Sequence, residues 1–110
     1  MKYKNTLQKG LLRCLVFRED DVWYAVGLEF NIVDTGDTAQ EALLMLLEAA
    51  RGYVESARKI KARSGILNQK TDPEYEAMWR RARESKADRG VFFAGQLSIP
   101  QLTERAFVPA

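Results

Sequence analysis

The chain has 110 residues, 17 basic and 15 acidic side chains and a formal charge of +2. That length fits one domain, and 46% hydrophobic with 29% charged residues excludes collagen, coiled-coil rods and wholly disordered chains. There is no histidine and one cysteine, Cys14, so Ser-His-Asp and Cys-His catalysis, an ordinary structural zinc site and an intrachain disulfide are excluded.

Residues 11–18 read as a strand in which Leu12, Cys14 and Val16 alternate with Arg13, Leu15 and Phe17. Glu19-Asp20-Asp21 forms a three-residue turn, the length of a hairpin loop. Residues 22–30 are rich in aromatic and branched side chains and read as one continuous second strand. Asn31 marks a bend or bulge, and residues 32–35 make a short third strand.

Gly36, Asp37 and Thr38 close the sheet and open a helix. Thr38 with Glu41 matches a capping box, in which the Thr hydroxyl and the Glu side chain satisfy each other's backbone amides. Gly36 is expected to supply a backbone angle that other residues resist. The helix runs from residue 39 to about 60, because Ala42, Leu43, Leu46, Leu47, Ala50, Tyr53, Val54 and Ala57 recur at three- and four-residue steps. Leu44 and Met45 widen this stripe and give the helix a second apolar face, open to a subunit interface. Arg58-Lys59-Ile60-Lys61-Ala62-Arg63 suits the negative end of a helix dipole, and Ser64-Gly65 ends the helix. Residues 66–71 are a connector.

Asp72-Pro73-Glu74 starts a second helix, with Asp as cap and Pro at the first position. It runs over about 73–88, presents Tyr75, Met78, Trp79 and Ala82 on one face, and carries Glu76–Arg80 and Arg80–Glu84 pairs four apart. Residues 91–99 read as a strand stopped by Pro100, residues 102–106 as one helical turn, and Phe107-Val108 as a docking point. The fold expected is α+β. An antiparallel sheet of three to four strands carries one long helix across it, with a core of Trp23 or Tyr24, Val26, Leu28, Leu43, Leu46, Leu47, Ala50 and Tyr53. Residues 1–63 form this β-β-β-α unit, and residues 64–110 form a helix–strand extension that packs on it or mediates oligomerisation.

The apolar run after Leu11-Leu12 is broken by Arg13 and Arg18, and the richest apolar stretch, residues 42–47, is bounded by Glu41 and Glu48. A signal peptide needs about 7–15 unbroken apolar residues and a membrane span about 20. Neither is expected, and a cytoplasmic location is.

An aromatic strand, then Leu28-Glu29, then Gly36-Asp37-Thr38, then Glu41-Ala42-Leu43 and a helix with Leu46-Leu47-Glu48-Ala49-Ala50 resembles the HicB antitoxin family over about residues 11–57. The resemblance implies a trimmed ribonuclease H fold without catalytic carboxylates. It also implies a non-enzymatic protein, free of cofactors and metals, that binds a small ribonuclease toxin and blocks it. Glu29-Phe30-Asn31 replaces a Pro-containing loop common in the family, as in its stand-alone branch. Residues 64–110 match neither a ribbon-helix-helix nor a helix-turn-helix, so DNA binding is not carried over.

Charge divides the chain. Residues 1–55 hold six basic and nine acidic side chains, net −3; residues 56–110 hold eleven and six, net +5. Glu19, Asp20, Asp21, Glu29 and Asp34 are candidates to face a basic partner. Arg80, Arg81, Arg83, Lys86 and Arg89, with Trp79 for stacking, are candidates for nucleic-acid contact, although a solvated helix face explains them as well. A two-magnesium site would have to come from Asp20, Asp21, Glu29 or Asp34. Adjacent carboxylates on a turn do not make a fixed metal pair, so no catalytic residue is assigned. An uncovered sheet edge points to a homodimer or higher homo-oligomer.

Overall fold

The computed structural model describes residues 4–84 and 91–103. Strands β1 (Leu11–Glu19), β2 (Val22–Gly27), β3 (Ile32–Gly36) and β4 (Val91–Ser98) form one antiparallel sheet in the order β3-β2-β1-β4. Helix α1 (Ala39–Lys59) lies across one face, helix α2 (Pro73–Glu84) packs on the other, and a short helix α3 (Ile99–Thr103) follows β4. The architecture is α+β, with a long helix on an antiparallel sheet.

The run from Cys14 to Phe17 is buried at every position. Alternation explains why. Leu12, Cys14 and Val16 enter the cluster under α1 with Ala25, Leu46, Ala50 and Val54. Leu15 and Phe17 enter the opposite cluster with Val26, Leu28, Tyr75, Met78 and Trp79. A strand covered on both faces loses the polar–apolar alternation of a one-sided sheet. Each fully buried Leu or Val contributes about 1.5–3 kcal/mol of transfer free energy.

Several boundaries differ from those read in the sequence. The hairpin loop has two residues, not three: Glu19 pairs with Val22, and Asp20 and Asp21 take φ of 53° and 65°. Positive φ at both positions marks the I′ geometry, whose twist matches that of the strands. β2 stops at Gly27, because Leu28–Phe30 wind into a 3₁₀ turn that ends on left-handed Asn31, φ 55°. β4 stops at Ser98, so Pro100 lies inside α3, near its start, where the missing N–H is harmless. The connector after α1 contains a 3₁₀ turn at Ser64–Leu67. The expected end of the second helix near residue 88 and the docking of Phe107-Val108 lie outside the described residues.

α1 begins where Thr38 Oγ1 accepts the Glu41 N–H at 3.0 Å. The Glu41 carboxylate accepts the amide of Asp37 at 3.4 Å, one residue before the Thr38 amide that the capping box would use. Gly36 is not in a positive-φ conformation. Its requirement is steric: a Cβ there would stand 2.6 Å from the Ala42 nitrogen. Leu43 and Tyr53 are half-buried at the edge of the core, Leu47 is half-buried outside the two clusters, and Leu44 (61% exposed) and Met45 (44%) face solvent.

Candidate functional site

The strand registers sort the acidic candidates. Glu19 is opposite Val22 beside the Asp20-Asp21 turn, and Trp23 is opposite Gly36, so the hairpin tip and the β3–α1 turn share one end of the sheet. Glu19, Asp20, Asp21, Asp37 and Glu41 are all exposed there. Arg18 pairs with Asp21 at 2.9 Å and lies 6.0 Å from the Trp23 ring centroid. Both members of that ion pair are exposed, so the pair adds little stability.

Asp34 is half-buried on β3, opposite Ala25, and its Oδ2 is buried without a hydrogen-bond partner. Among the described residues β3 pairs with β2 alone, so its other edge has no strand partner among them. Glu29 lies beyond the far end of β2, about 20 Å from the hairpin tip at strand rise. Asp20, Asp21, Glu29 and Asp34 therefore do not converge on one site. Among the described residues no group of three or more Cys, Asp or Glu is placed to hold a metal ion.

Glu29 instead belongs to a charged cluster that the sequence reading missed. It accepts the Arg13 backbone N–H at 2.8 Å and the Arg13 Nε–H at 2.5 Å. Arg13 Nη1 donates to Glu76 Oε2 at 3.1 Å, and Nη2 is ion-paired with Glu76 Oε1. Burial pulls the guanidinium pKa down, and Glu76 and Glu29 more than offset it, leaving the pKa raised. Two cations lie near the Trp79 ring, Arg13 at 5.7 Å and Arg83 at 5.5 Å from its centroid. Glu76 is thus drawn to partly buried Arg13 rather than to Arg80 four residues on, because an ion pair shielded from water is the stronger one. The one signal in the sequence was a charge inside each of two apolar runs.

This cluster floors a cavity of about 620 Å³ that Lys4, Gln69, Thr71 and Gln96 also line. Most of these polar groups serve the fold. Thr71 donates to the Leu28 carbonyl, and Gln69 donates to the Tyr53 hydroxyl. An arginine held by two carboxylates can bind and orient but cannot act as a base. The Cys14 thiol is fully buried on the other face. Burial, then the nearby Glu29 charge, pushes it up to about 12, which keeps it protonated and unreactive.

On α2, Arg80 and Arg81 are exposed, and Arg83 is drawn onto Trp79, which is half-buried against the second cluster. Lys86 and Arg89 lie outside the described residues. Among the described residues no helix is long and apolar enough to cross a membrane. No family model, curated protein or solved structure matches this chain.

Proposed function

We propose that this chain is a non-enzymatic, HicB-like binding module that docks and neutralises a small basic ribonuclease. The observation that carries this reading is the gathering of Glu19, Asp20, Asp21, Asp37 and Glu41 at the end of the sheet where the free edge of β3 finishes. A concentrated negative surface steers a basic protein. An open strand edge offers main-chain hydrogen bonds to an extended segment of it.

The test is to tag the chain in its native host and identify what co-purifies at low and at high salt. A small basic ribonuclease recovered at low salt, released by high salt and lost with the Glu19→Lys, Asp20→Lys, Asp21→Lys triple variant is the expected result. Unchanged capture by that variant refutes the surface, and absence of any ribonuclease refutes the function. A second reading, a stand-alone homo-oligomer, draws on Leu44 and Met45, which leave apolar area on the outside of α1. Self-association that Leu44→Glu abolishes is its signature.

A further inference from the structure

We infer that the end of the molecule opposite the acidic hairpin is a sequence-independent nucleic-acid contact, built by Lys4, Lys9, Lys59, Lys61, Arg63 and Lys70. These residues come from three separate stretches of the chain, and the fold brings them together. α1 starts beside Gly36 at the acidic end and runs antiparallel to β3; the Tyr53 ring stacks on Phe30 at 4.7 Å beyond the far end of β2. The helix therefore delivers Lys59 to that far end. The chain then turns at Lys61, whose φ is 53°, toward Arg63.

A clasp fixes the other two segments beside it. The Asn5 N–H donates to Asn68 Oδ1 at 2.9 Å, and Asn68 Nδ2 donates back to the Asn5 carbonyl and to the Ser64 carbonyl, each at 2.8 Å. Lys4 sits next to Asn5, Lys70 two residues past Asn68, and Arg63 next to Ser64. The Thr6 amide donates to the Lys9 carbonyl at 2.8 Å, which folds Lys9 back onto the same strap. All six side chains are exposed, and none is ion-paired with a described carboxylate. Two carboxylates that could quench the patch are engaged elsewhere, Glu55 by Arg58 and Glu29 by Arg13. Asp72 and Glu74 stay exposed at the start of α2 and limit its reach on that side.

The chemistry of the patch selects its ligand. Six such cations suit a repeating phosphate chain, where each contact releases condensed counterions. A membrane surface would call for several insertable apolar side chains, and the patch has Ile60 at 73% exposure. Among the described residues Tyr53 is the nearby aromatic, and its ring is committed to Phe30, so no base-stacking platform accompanies the charges among them. Binding then reads phosphates and not bases. The surface lies at the opposite end from the acidic one and does not depend on it.

Fluorescence anisotropy on the full chain tests this with two labelled probes, a mixed-sequence DNA duplex and a single-stranded RNA of matching length, each across a range of salt concentrations. Binding of at least one probe at low salt is the expected result, with a log–log salt slope of about −4.5 on the duplex or about −3.5 on the single strand for five or so neutralised phosphates. The Lys59→Glu, Lys61→Glu, Arg63→Glu variant should bind at least tenfold more weakly, with a slope shallower by about 2–3. The Arg80→Glu, Arg81→Glu variant should bind as the parent does. Circular dichroism checks each fold, and Lys9→Glu with Lys70→Glu repeats the test away from the helix. No binding of either probe at low salt overturns the inference. So does loss of binding in the α2 variant alone, or binding only to anionic vesicles.

Discussion

Alanine at Gly36 and at Gly52 should move stability in opposite directions, and the structure gives the size of each shift. At Gly36 an added Cβ would meet the Ala42 nitrogen at 2.6 Å, the Glu41 Cβ at 3.0 Å and the Ala42 Cα at 3.1 Å. Two of these are backbone atoms of the first turn of α1, which cannot retreat without lifting Ala42 and Leu46 off the sheet. Overpacking of this kind costs about 1–3 kcal/mol. Gly52 lies inside α1, and a Cβ added there would meet nothing within 4 Å. Alanine at that position gains about 0.5–1 kcal/mol of helix propensity. An unfolding entropy of roughly 2.1 cal/mol/K per residue gives 110 residues about 0.23 kcal/mol/K, or about 4 °C per kcal/mol. Gly36→Ala should therefore lower Tm by about 4–13 °C, and Gly52→Ala should raise it by about 2–4 °C. Thermal melts followed by circular dichroism and calorimetry measure both. An unchanged Tm for Gly36→Ala would refute the close approach of the β3 end to α1, and a lowered Tm for Gly52→Ala would refute the open space beside that glycine.

Thr38→Ala removes the acceptor for the Glu41 amide and should cost on the order of 1 kcal/mol in urea denaturation; an unchanged midpoint would reject the cap. Asn5→Ala strips a buried side chain that bonds the Leu11 carbonyl and amide and the Leu67 carbonyl, and about 2–3 kcal/mol should be lost. A loss under about 0.5 kcal/mol would mean that the Asn5 side-chain bonds to Leu11 and Leu67 do not hold the strap. Cys14 gives a signed pH effect. Its thiol is raised from 9.0 to about 12 in the folded chain, so the unfolded chain ionises first. The stability it contributes is intact below pH 9 and drains away up to about pH 12. The limiting slope is about 1.4 kcal/mol per pH unit. Cys14→Ala should flatten that part of the urea–pH profile, and identical profiles would contradict the burial. Iodoacetamide should label Cys14 in urea and spare it in the native chain; rapid native labelling would count against the same burial.

Local chemistry was legible in the sequence. Thr38 and Glu41 announce the start of α1, and Ala42, Leu46, Ala50, Val54 and Ala57 repeat at helical spacing, because neighbours three or four apart on a helix share a face whatever lies beyond it. The end of β2 was not legible, since Leu28 and Phe30 suit a strand as well as the 3₁₀ turn they form. The Arg13 cluster was hidden for a different reason. Glu29 and Glu76 stand 16 and 63 residues from Arg13 along the chain, and nothing short of the folded sheet brings them together. Glu76 shows the cost of a purely local reading, because its helical neighbour Arg80 loses to a partner supplied by β1. The acidic candidates separated on the same principle: Asp20 and Asp21 stay at the tip, while the strand length carries Glu29 to the other end.

The place of β1 at the middle of the sheet bears on how the chain is made. Leu11 pairs with Ser98 and Phe17 with Val91, so one edge of the first strand stays open until almost the last strand has been synthesised. At about 5–20 residues per second, several seconds separate the emergence of β1 from that of β4. Until residues 73–84 emerge and α2 forms, the nascent hairpin also shows Leu15 and Phe17 on a face that this helix has yet to cover. A ribosome-bound fragment stopped before residue 91 should accordingly recruit chaperones or aggregate, although its helix and hairpin signals are already complete.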